Sequence, residues 1–99
     1  MIVVTGEIEF EAEHVWPATT AAAKMIEATQ KEDGCILYRF YVDISDTKRF
    51  RIYEEWASQE ALDAHFKTPH MAEFQKALAS FRIVKRKIIT FEVNEVRAL

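Results

Sequence analysis

The chain has 99 residues but only two glycines, two prolines and one cysteine. Gly6 and Gly34 stand far apart, so no glycine-rich loop exists to cradle the phosphates of a nucleotide or a flavin. Cys35 alone makes neither an internal disulfide nor a cysteine-based metal cluster. Positive charge is not in excess either: 13 Lys and Arg face 16 Asp and Glu, a net charge of −3, with both signs mixed along the sequence. No basic stripe is left to neutralise a nucleic-acid backbone. Long hydrophobic runs are missing too, and Met1-Ile2-Val3-Val4-Thr5-Gly6-Glu7 has no basic region ahead of its apolar residues. The expectation is a cytoplasmic protein with no nucleic-acid or membrane partner.

Aromatic residues, in contrast, are plentiful: seven Phe, three Tyr and two Trp. A single domain over 1–99 buries roughly 60–65% of its unfolded surface, which makes a thin core. More aromatic mass than such a core needs implies a ligand pocket, a subunit interface, or both.

Ile2 to Phe10 alternates with period two, which predicts a strand. Ala18, Ala22, Met25, Ile26 and Thr29 then recur at helical spacing from Val15 to Lys31, with Pro17 in the first turn and Asp33-Gly34 as the stop. Cys35–Asp43 and Lys48–Trp56 are rich in β-branched and aromatic residues and predict a hairpin about the polar turn Ile44-Ser45-Asp46-Thr47. Pairing Ile36 with Trp56, Tyr38 with Glu54, Phe40 with Ile52 and Val42 with Phe50 gathers the apolar mass on one face, with Glu54 as its one charge. The other face carries Leu37, Arg39, Tyr41, Arg49, Arg51, Tyr53 and Glu55, with Glu7 and Glu9 of the first strand in reach for cross-strand ion pairs.

Ser58 caps a short helix through Lys67 that carries Leu62 and Phe66, and Thr68-Pro69 ends it and begins another with Met71, Phe74, Leu78 and Phe81. Arg82 to Val96 reads as a long last strand. Strand, helix, strand, strand, helix pair, strand is the ferredoxin-like α+β order, βαββαβ, with one antiparallel sheet and helices on one face. The uncovered face, with Leu37, Tyr41 and Tyr53, suits a homodimer joined sheet to sheet.

Asp33-Gly34-Cys35 with Tyr38, then Phe50, Glu54, Trp56 and Leu62, and the close Ala64-His65-Phe66-Lys67-Thr68-Pro69-His70-Met71, resembles the antibiotic biosynthesis monooxygenase superfamily, most closely its small quinol monooxygenase-like members. The resemblance implies a dimeric α+β barrel with one pocket per subunit. It also implies oxygenation of a quinol or polycyclic phenol by O₂ with no cofactor, though relatives also degrade haem or isomerise phosphorylated sugars. The haem-degrading branch uses an Asn, a Trp and a His where this chain looks to have Gly6, His65 and Gln75, so that activity is disfavoured.

Cofactor-free oxygenation needs a base near neutral pH, an apolar cavity and little water. His65 is the expected base, because imidazole titrates in that range and its helix should cover the aromatic sheet face. Glu54 and His70 are the expected orienting groups, Glu54 because a carboxylate on an apolar face needs a partner or a raised pKa. Tyr38 is placed to donate to a substrate oxygen, with Phe40 and Trp56 as walls. Phe66, Met71 and Phe74 are where the helices would meet substrate, although Met25, Met71 and Phe74 also fit a plain core stripe. His14, on a polar stretch, reads as solvated. His65 and His70 are five apart across Pro69 and show no third ligand, so no metal is expected. Two other functions use the same pocket: an isomerase or lyase of a small oxygenated metabolite, and a non-catalytic ligand-binding dimer associated with stress.

Overall fold

The computed structural model describes residues 1–99. Four strands form one antiparallel sheet: β1 (Ile2–Phe10), β2 (Cys35–Asp43), β3 (Asp46–Trp56) and β4 (Ile83–Glu92), in the spatial order β2-β3-β1-β4. Helices α1 (Val15–Thr29), α2 (Gln59–His65) and α3 (Pro69–Ala79) complete the ferredoxin-like fold. None of them is long and apolar enough to cross a membrane.

Local chemistry sets the element ends. The Ser58 hydroxyl accepts from the Ala61 amide at 3.2 Å, and the Thr68 hydroxyl from the Met71 amide at 3.3 Å, so each short helix begins on a side-chain cap. Pro69 then sits at the first helical position, where no amide donor is needed. Gly34 has φ 80°, a left-handed conformation that turns the chain into β2.

Period-two alternation lays Val4, Ile8 and Phe10 of β1, Tyr38 of β2, and Phe50, Ile52 and Trp56 of β3 against Ala18, Ala22, Met25, Leu62, Phe74 and Leu78 of the helices. On the opposite face β1 and β3 pair Glu7 with Arg51 and Glu9 with Arg49, and the expected ion pairs form at 3.2 and 3.4 Å. Such half-exposed pairs are worth at most about 1 kcal/mol each and chiefly hold register.

Three local expectations are corrected. The hairpin register holds at Tyr38, Phe40 and Val42, but Cys35 rather than Ile36 faces Trp56, because a bulge at Ile36 turns that side chain outward. The last strand ends at Glu92 rather than Val96. His14 is not simply solvated: its Nδ1 accepts the Arg82 amide at 2.8 Å, and its ring lies 5.7 Å from Phe81. It anchors the entry to β4. That strand pairs with β1 alone, and the helices leave most of it exposed.

Candidate active site

Glu54 occupies the helix-covered face of β3 at 5% exposure, directly across from Tyr38 on β2. Strand geometry brings Trp56, two residues on, to the same face, and its indole Nε1 donates to Glu54 Oε1 at 2.8 Å. One neutral donor does not replace the lost water. Burial therefore pushes the carboxyl up to about 7; the charge of Glu32 adds to the rise, and the indole bond opposes it. Burial, reinforced by Glu54, also raises Tyr38 far above the ordinary phenol value, so its hydroxyl stays protonated as a donor.

A cavity of about 460 Å³ opens beside these two residues, between α3 and the sheet. Val4, Ile8 and Ile52 give it an apolar floor, Phe66, Met71 and Phe74 an apolar roof, and Arg86 and Ile88 of β4 one side. Its volume falls in the range of small-molecule sites. Arg86 is exposed and forms no ion pair, so it adds positive charge to the mouth.

The histidines stand elsewhere. His65 closes α2 with 0% exposure and is not part of the cavity wall; its Nδ1 lies 2.7 Å from Glu32 Oε2. His70, in the first turn of α3, brings Nε2 to the same oxygen, also at 2.7 Å. One carboxylate oxygen thus accepts from two imidazoles. Burial lowers the His65 pKa and so favours the neutral ring, while the Glu32 hydrogen bond opposes the shift. Its ring lies 4.7 Å from that of Trp56 and 5.7 Å from that of Tyr38.

The expected His65–Glu54 pair is therefore corrected. Glu54 is held by Trp56, and His65 by Glu32, a residue the sequence reading passed over. His70 orients towards Glu32 and does not reach the cavity beside Glu54. Trp56 acts through its hydrogen bond rather than as a wall. Phe40 stands behind the wall, edge-on to Tyr38 and Phe74. Of the expected contact residues, Tyr38, Phe66, Met71 and Phe74 do line the cavity with Glu54. The ground for excluding a metal also falls, since Glu32 supplies the missing third donor.

Residues 1–77 match the family model described as antibiotic biosynthesis monooxygenase. An uncharacterised Synechocystis protein is 31% identical over 98 residues, covering 99% of this chain and 67% of that protein. The Escherichia coli protein named probable quinol monooxygenase YgiN is 33% identical over 64 residues, 57% of this chain and 62% of its own length. These curated relatives thus extend beyond the matched region. Among solved structures, a candidate antibiotic biosynthesis monooxygenase from Deinococcus radiodurans superposes with a TM-score of 0.94 at 28% identity, covering 100% of this chain and 98% of the other. A conserved protein from Methanosarcina mazei gives 0.87 at 26% identity, over 94% and 92%.

Proposed function

The chain belongs to the antibiotic biosynthesis monooxygenase family, and from that membership we propose a cofactor-independent monooxygenase that oxidises a quinol or polycyclic phenol with O₂. The observation that carries this reading is Glu54, a buried carboxylate with a pKa of about 7 beside an apolar cavity of about 460 Å³. The name of the Escherichia coli relative supports the substrate class.

Glu54 is the base in place of His65. It takes the substrate's hydroxyl proton, which makes the ring electron-rich enough to give one electron to O₂. The ring radical and superoxide then recombine into a carbon–oxygen bond. Protonated Glu54 returns its proton to the distal oxygen, and loss of water from that hydroperoxide leaves a ring carbonyl. One O₂ thus yields one new C=O and one water. Tyr38 donates to the substrate oxygen, and Phe66, Met71 and Phe74 exclude water from the charged intermediates.

We also propose a homodimer joined through the sheet face opposite the helices. Leu37, Tyr53, Ile89 and Phe91 give that face apolar surface among its ion pairs. Light scattering across a concentration series should give twice 11.5 kDa; a constant 11.5 kDa refutes the interface. For the reaction, oxygen uptake with a panel of quinols is the test. Uptake by the wild type that Glu54→Gln abolishes supports the assignment. Turnover of a substrate without oxygen consumption replaces it with an isomerase, and binding without turnover replaces it with a ligand-binding dimer.

A further inference from the structure

We propose that Glu32, His65 and His70 form a binding site for one divalent transition-metal ion, of which zinc is the type best suited to two imidazoles and a carboxylate. The three donors arrive from separate elements: Glu32 from the turn after α1, His65 from the end of α2, and His70 from the start of α3. One ligand atom from each of the three residues lies within 4.8 Å of those of the other two. Residues 33 and 38 positions apart in sequence converge there. Two histidines and one glutamate is a donor set that leaves a coordination position open.

The cluster is spaced for hydrogen bonds, with each imidazole 2.7 Å from the carboxylate oxygen. That arrangement leaves one group unsatisfied. If Nδ1 of neutral His65 donates to Glu32, its Nε2 is a bare lone pair, and this atom is buried with no partner. A buried polar atom without a partner is unfavourable by about 1–3 kcal/mol. A metal on Nδ1 moves the ring proton to Nε2, and with the Trp56, Tyr38 and Phe66 rings 4.7–5.7 Å from the imidazole, an N–H suits these aromatic surroundings better than a lone pair. His70 shifts its proton from Nε2 to Nδ1 in the same way, so the two neutral imidazoles bind the ion without net proton loss. The donors must draw apart from their 2.7 Å hydrogen-bond spacing to admit it.

Access is built in. The side chains of Glu32 and His70 are 13% and 23% exposed, and His70 lines an open groove of about 420 Å³ between α1 and α3, together with Glu73 one turn further along. Through His70 that groove gives water or an exchangeable oxygen donor a route to the ion. It is separate from the cavity beside Glu54, so the site stands whether or not the chain is a monooxygenase. The ion also ties α2 and α3 to the turn after α1.

The test is equilibrium dialysis of chelator-stripped protein against zinc chloride, with thermal unfolding measured on the same samples. One zinc per chain is expected, with a rise in Tm. His70→Ala and Glu32→Gln, which keeps the carboxamide oxygen as acceptor, should weaken binding by more than the roughly 10–100-fold that loss of an outer partner brings. Cobalt in place of zinc should give the intense visible absorption of a four-coordinate ion in the wild type only. Far-ultraviolet circular dichroism matching the wild type shows that the variants fold. Binding that is equal in the wild type and both variants, or no stoichiometric binding at all, overturns the proposal and leaves the cluster a hydrogen-bonded clip.

Discussion

Glu54 and Glu32 are the same functional group in one small domain, and their surroundings differ in depth and in hydrogen-bond partners. Glu54 has one indole donor and an apolar cavity, and burial raises its pKa to about 7. Glu32 has two imidazole donors on one oxygen. Glu54 is buried and Glu32 only half-buried, and Glu54 also has fewer donors. A buried carboxylate with a single donor is left poised to exchange a proton, whereas Glu32 fastens two imidazoles.

The largest expected effect comes from Glu54→Gln, which keeps the acceptor for Trp56 and removes the proposed base. Oxygen uptake should fall roughly 10²–10⁴-fold, the usual contribution of a general base. A rate within a few-fold of wild type would make Glu54 as structural as Glu32.

Stability sharpens the contrast from the other side. A folded pKa raised above the ordinary 4.5 means that stability is greatest while Glu54 is protonated in both states, and falls as pH climbs from about 4.5 to about 7. A shift of that size corresponds to roughly 3 kcal/mol. Urea unfolding at pH 5 and pH 8 should show the loss in the wild type and a flatter profile in Glu54→Gln, which should be the more stable of the two at pH 8. An unchanged pH profile in the variant would place the titration on another group.

Glu32→Ala should lower stability by roughly 2 kcal/mol, because it strips the acceptor from two imidazoles, one of them fully buried. Activity per folded molecule should change far less than in Glu54→Gln. His65→Gln probes the same separation: the rate's dependence on pH should keep its inflection near 7. If that inflection vanishes, His65 is the base after all. The smallest expected effect is Tyr38→Phe, a loss of the proposed donor to substrate, which should raise KM a few-fold and leave the pH profile in place.

The fold was legible because its signals are periodic and local. Alternation in Ile2–Phe10, the Ser58 and Thr68 caps, and Pro69 each act over a few residues. The bulge at Ile36 left no such mark, since the apolar alternation continues through it and only the close approach of Cys35 to Trp56 reveals it. The anomaly of Glu54, one charge on an apolar face, was equally plain. Its partner was not. An acidic residue just ahead of Asp33-Gly34 looks like ordinary turn chemistry, and only tertiary packing carries it to helices more than thirty residues downstream. Two histidines near a carboxylate in sequence made a pair with Glu54 attractive. The better signal was geometric: a side chain at the end of α2 is carried towards the turn that precedes β2.

The outer edge of β4 is an open row of backbone donors and acceptors, and the strand carries Ile83, Val84, Ile88, Ile89 and Phe91. An edge of that composition is a template for uncontrolled strand addition. Lys85, Arg86 and Lys87 interrupt it with three consecutive positive charges, which repel an identical incoming strand. The basic triplet thus serves colloidal stability, and the shelf life of the purified protein should shorten as salt screens it.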